Sequence, residues 1–282
     1  MESAEVHSSG PWPFVTLHRY RVGGRRFVWR ARQHRKGLDP NARGLEAASA
    51  PVWQTPVYNW LTGALFAVGA LLFMAGSAGT LARAGLGWPS GGLINLVFFL
   101  GSIPFTIAGY LQLFQAANAP LFVPGQPPRV RPITLLGWRP ADPGWLSTFS
   151  QFVGTVAFNV NTFDAMHPPA DWYAQDLAIW LPGLIGSVLF LLSGYLAFIE
   201  AGHAHWSWHP RDLAWRIVFV NLLGCVAFMV AGVLAYVPRA PAPHWLPALA
   251  NTSLLAGAFC FLVGALLLMR ESRSAGDRSG PR

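Results

Sequence analysis

Charge is scarce in this chain. Only 11% of its 282 residues are Asp, Glu, Lys or Arg, against 53% hydrophobic. A soluble domain carries about 25% charged residues, so the composition points to a membrane protein. Cysteine is nearly missing too. Cys225 and Cys260 both lie in apolar runs, with no CxxC and no Cys/His spacing. That excludes a disulfide framework and a zinc finger. There is no P-loop, GxSxG, HExxH or dinucleotide fingerprint, so no enzyme activity and no cofactor are expected. The first 50 residues hold no apolar run of the kind a secretory signal needs.

What the chain has instead is long apolar runs. Six lie at 58–82, 92–117, 145–166, 177–201, 213–237 and 246–270. Each reaches roughly the 20 residues a helix needs to cross a bilayer core. The third is the least apolar, interrupted by Asn159, Asn161 and Asp164. With six spans, eighteen Lys/Arg fall on one side and two, Arg83 and Arg239, on the other. The positive-inside rule then predicts a plasma-membrane protein with both termini cytoplasmic. Trp60, Trp88, Trp138, Trp145, Trp172, Trp208, Trp215 and Trp245 fall near span ends, where an aromatic belt is expected.

The net charge of +8 is concentrated in the first 55 residues and between the runs. Topology and anionic lipid explain it better than nucleic acid. Segment 1–55 is expected to be a basic cytoplasmic region. Within it Phe14–Val22 and Arg25–Arg32 partly alternate around Gly23-Gly24. That pattern suits a β-hairpin. The other reading is a disordered basic tail. His34-Arg35-Lys36-Gly37 closes the hairpin, and Asn41 to Pro56 reads as a linker.

An internal repeat runs through all six spans. Each holds Gly, Phe four residues later, then a small residue four after that. The instances are Gly69/Phe73/Ser77, Gly101/Phe105/Gly109, Gly154/Phe158/Thr162, Gly186/Phe190/Gly194, Gly224/Phe228/Gly232 and Gly257/Phe261/Ala265. Odd spans carry Trp nine residues before the Gly: Trp60, Trp145 and Trp215. Even spans carry Gln115, Glu200 and Glu271 fourteen after it. The fold class predicted is therefore all-α: a six-helix transmembrane bundle of three two-helix hairpins, at 56–117, 145–201 and 212–271. A disordered tail, 272–282, is expected to follow. Steps of four keep Gly, Phe and small residue on one helix face. Small residues let helices approach closely in lipid, so this face reads as packing.

This pattern, and above all Phe99-Leu100-Gly101-Ser102 through Gly109-Tyr110-Leu111-Gln112-Leu113, resembles the YrhK-like membrane domain. The chain is also similar to uncharacterised actinobacterial multi-pass proteins that string such hairpins together. In these the resemblance implies a segment like Phe158-Asn159-Val160-Asn161-Thr162-Phe163 and an upstream basic stretch like Trp29 with His34 to Gly37. It implies no activity.

Two groups could carry chemistry. Asn159, Asn161 and Asp164, with His167 beyond, are costly in a membrane and form a candidate permeation site. Glu200 and His203, with His205 and His209 close by, show the Glu-x-x-His spacing of di-iron bundles. A metal site there needs further carboxylates, so no metal is expected and a polar helix end is the plainer reading. The function expected is a non-enzymatic scaffold or partner-interaction role, with the bilayer, anionic lipid and a membrane-protein partner or second copy as contacts. The alternative is a small-solute or ion permease using the third helix.

Overall fold

The structure is a computed structural model. It describes residues 6–22, 24–38, 51–87, 89–122, 132–239, 243 and 245–277. Trp88, most of the Asn41–Pro56 linker and residues 278–282 lie outside that set. The N-terminus is a three-stranded antiparallel sheet in the order β1 (Val6–Ser9), β2 (Leu17–Val22), β3 (Arg25–Arg30). The expected hairpin is present as β2–β3, in register Val22↔Arg25. β1 was not anticipated.

Period-two alternation gives the sheet two unlike faces. His18, Tyr20, Phe27 and Trp29 share one face, paired across the strands as His18↔Trp29 and Tyr20↔Phe27. They collect around Phe122, whose ring stacks 4.7 Å from Trp29. Arg19, Arg21, Arg26 and Arg30 occupy the other face, all exposed. β3 runs straight into a short helix, α1 (Ala31–Arg35).

Six long helices follow: α2 (Pro56–Leu86), α3 (Gly91–Ala117), α4 (Pro143–Asp164), α6 (Leu181–Gly202), α7 (Leu213–Leu234) and α8 (Trp245–Asp277). A turn of helix, α5 (Trp172–Gln175), and a π-helical turn at Asp176–Trp180 lead into α6. Starts are set by side-chain caps: Thr55 with Pro56 for α2, Ser90 for α3, Asp142 with Pro143 for α4, and Asp212 for α7. α8 stays helical through 272–277, so that part of the expected disordered tail is corrected. The helix gains a continuing hydrogen-bond ladder, and Ser272 is buried against its neighbours.

Neighbours in sequence are neighbours in space, and α8 returns to α2, so the six helices close a ring. Five of them are long and apolar enough to cross a membrane; α4 is not. Its polar residues point inward, with Ser147, Thr148, Ser150, Thr155 and Thr162 buried. Its outer stripe is apolar: Val153, Val156, Val160 and Phe163 are exposed at helical spacing.

The Gly/Phe motif interlocks reciprocally inside each sequential pair. A Cβ on Gly154 would meet the Phe190 ring at 2.7 Å, and one on Gly186 the Phe158 ring at 2.9 Å. Gly224 meets Phe261 at 2.9 Å and Gly257 meets Phe228. Gly69 meets Phe105 at 2.6 Å and Gly101 meets Phe73 at 3.0 Å. The third position works differently. Gly109, Gly194 and Gly232 face a helix of an adjacent pair, against Thr155, Cys225 and Ser187.

Two Trp expectations need correction. Trp145 and Trp215 are not belt residues: they are 1% and 2% exposed. Each stacks on the Phe four residues ahead, Phe149 at 4.9 Å and Phe219 at 4.6 Å. Their indole N–H groups donate to the Leu136 carbonyl and to Ser207 Oγ. A buried indole with a partner is a packing element, not an interfacial anchor.

Candidate functional site

The ring encloses two cavities on its axis, separated by the six motif phenylalanines. All six are buried in one cluster, with ring centroids 4.9 to 6.3 Å apart along the connected pairs. They form two layers. Phe105, Phe190 and Phe261, from α3, α6 and α8, border the near cavity, on the α1 side. Phe73, Phe158 and Phe228, from α2, α4 and α7, border the far one. Between the layers only about 10 Å³ is open, too little for more than about one water.

The near cavity holds about 90 Å³ and is roofed by α1. Here the three even-helix positions meet the N-terminal segment. Glu271 takes a bidentate pair from Arg32, with 2.6 and 2.9 Å contacts, and has Lys36 Nζ at 3.6 Å. Glu200 accepts from Arg35 at 2.6 Å. Gln115 donates to the Trp53 carbonyl and to Asn59 Oδ1, while Asn59 donates to the Lys36 carbonyl at 2.9 Å. Gln54 Nε2 donates to the carbonyls of His34 and Arg35. Gln54, just before α2, and Asn59, in its first turn, thus satisfy carbonyls at the C-terminal end of α1, where the His34 carbonyl also accepts from the Gly37 N–H. Gly37 then turns the chain away with φ +65, and its α-carbon lies against Gln54, where a side chain would clash.

Arg32, Arg35, Lys36 and Glu200 are all at least nine-tenths buried. A Cβ on Gly144 would run into the Glu200 and Arg35 side chains, so the α4 start is cut to fit the pair. Arg35 Nε and Glu200 Oε1 have no hydrogen-bond partner among the described residues, and both residues line the near cavity. Burial alone would lower the Arg32 pKa, but Glu271 holds it above the usual value. Lys36 is pushed down to about 7 by burial and by the Arg32 charge, against the opposing pull of Glu271. With Lys36 neutral, two arginines face two carboxylates, a balance a buried cluster favours.

The second sequence candidate is not assembled. Glu200 pairs with Arg35. His203, in a left-handed conformation at φ +57, meets Thr16 Oγ1 at 2.9 Å, and burial takes its pKa down to about 4. His205 meets the Tyr195 hydroxyl at 2.9 Å. Among the described residues no three His, Cys, Asp or Glu gather to hold a metal.

The far cavity holds about 230 Å³ and is lined from all six helices. Of the proposed permeation residues only Asn161 lines it. Asn159 donates sideways to Thr106 Oγ1 at 2.8 Å, and Asp164 is half-buried at the end of α4, lining neither cavity. The three residues therefore do not form one path. Asn95 does bridge helices, donating to the Ala165 carbonyl, while Asn251 bonds back to Pro247 on its own helix.

Sequence reading missed Arg32, Arg35 and Lys36, which it counted only as topological charge. The signal was present. Two carboxylates at matching helix ends require cations, and Arg32, Arg35 and Lys36 lie within five residues of one another. The chain finds no match among protein families, curated proteins or solved structures.

Proposed function

We propose that the chain is a six-span integral membrane protein with both termini cytoplasmic, built of three parallel hairpin repeats. It acts as a non-enzymatic scaffold that holds its N-terminal sheet at the cytoplasmic surface. The observation that carries this is the anchoring of α1: Arg32 and Arg35 are buried on Glu271 and Glu200 of two different hairpins. A sheet tied down in this way is held rigidly over the ring. Its exposed arginine face suits an anionic leaflet or an acidic partner. The outward apolar stripe of α4 supports counting it as a span. The YrhK-like resemblance fits the repeat but rests on the quoted residues alone.

Single cysteines at Ser8 and Ser274, in a Cys225/Cys260-free background, test the topology. An impermeant maleimide applied to intact right-side-out vesicles should label neither until the membrane is opened. Labelling of either one on sealed vesicles contradicts the reading. The two coaxial cavities favour a second reading, an axial small-solute permease held closed by the phenylalanine layers. Solute flux in proteoliposomes separates them: the scaffold predicts none above protein-free vesicles.

A further inference from the structure

We infer that the far cavity is a binding site for a small primary ammonium carried on an apolar body, a property beyond the scaffold reading. Its polar groups are arranged as acceptors. Asn95, Asn161 and Asn251 each anchor the side-chain nitrogen on a backbone carbonyl, of Ala165, Ile179 and Pro247. That uses one of the two N–H donors of each amide and leaves its oxygen free to accept. Gln175 is held the same way on the Pro169 carbonyl. The hydroxyls of Thr162 and Ser187 donate to Phe158 and Gly183, and the Trp180 N–H donates to Gly232. No Lys, Arg or His stands among the described residues that line the cavity.

An anion finds no charge partner in such a pocket. An ammonium brings three donors and no acceptor. The floor is three phenylalanine rings, Phe73, Phe158 and Phe228, and an aromatic face attracts a cation. Asp176 does not line the cavity but is buried beside it, next in sequence to Gln175 and accepting from the backbone of Val237, both lining residues. The remaining wall is mostly apolar, which suits an organic cation better than a bare metal ion. A cavity of about 150 Å³ holds benzene, so 230 Å³ takes a benzylamine-sized molecule.

Calorimetric titration of the purified full chain in detergent tests this with benzylammonium, ethylbenzene, benzoate and potassium as probes. Saturable benzylammonium binding is expected, at least tenfold tighter than ethylbenzene, with no heat from benzoate and no displacement by potassium. Asn161→Leu should weaken it about 10- to 100-fold, the effect of one hydrogen bond to a charged group. Asn159→Leu, two residues earlier on α4 and outside the cavity lining, should leave it unchanged. Equal or tighter binding of ethylbenzene or benzoate, displacement by potassium, or no benzylammonium binding at about millimolar concentration overturns the inference. If Asn161→Leu does not fold, the four probes on the native protein decide alone.

Discussion

The near and far halves of the ring share one scaffold and enclose opposite chemistry. Both rest on the same Gly/Phe interlock, and each takes three phenylalanines as its end wall. Towards α1, the even helices carry Gln115, Glu200 and Glu271, and the chain supplies its own cations to meet them. At the opposite end no Lys, Arg, Asp or Glu stands among the described residues that line the cavity, and its polar groups are side-chain amides and hydroxyls. The Gly/Phe contacts therefore set packing, and residues at other positions of the same helices decide what each half holds.

The largest effect should come from Glu271→Leu, which strips Arg32 and Lys36 of their carboxylate together. A loss of about 5 kcal/mol is expected, the top of the range for breaking a buried pair. Thermal unfolding in detergent reads it, and trypsin should then cut within Arg19–Arg30. Phe228→Ala, in the wall between the halves, should cost about 3–5 kcal/mol through the cavity it leaves. The same thermal unfolding reads it.

Two alanine substitutions in the same motif should diverge. Gly186→Ala puts a methyl 2.9 Å from Phe158 and 3.1 Å from the Gly154 carbonyl, an overpacking of about 1–3 kcal/mol. At Gly109 the nearest atom is 3.5 Å away, so Gly109→Ala should be neutral or stabilising by up to about 1 kcal/mol. Equal effects would contradict the division of labour between the positions. A further effect is in pH. Lys36 has a folded pKa near 7 against 10.5 for the free side chain. The unfolded chain binds more protons across that window, so stability should rise as pH increases from about 7 towards 10.5. Lys36→Met should flatten the rise.

The long helices were legible because 3.6-residue periodicity and long apolar runs survive in any one sequence. The β2–β3 hairpin was legible through alternation around Gly23-Gly24. The α1 plug was not, because residues 32–36 and their partners are separated by 165 and 239 positions for the two arginines, and no local pattern encodes which cation meets which carboxylate. The far cavity escaped for a related reason. Asn95, Asn161 and Asn251 look alike in sequence, and only the carbonyl each one meets fixes where its oxygen faces.

The central claim is that the chain closes one end of its own ring by pairing α1 with two hairpins. A double-mutant cycle on Arg35→Leu, Glu200→Leu and the double variant tests it most directly. Each single change leaves one buried charge alone, while the double change removes both. Unfolding measured in detergent should give a double variant far more stable than the singles sum to, with a coupling of about 2–3 kcal/mol. Additivity within about 0.5 kcal/mol would mean that Arg35 and Glu200 do not meet, and the plug would be wrong.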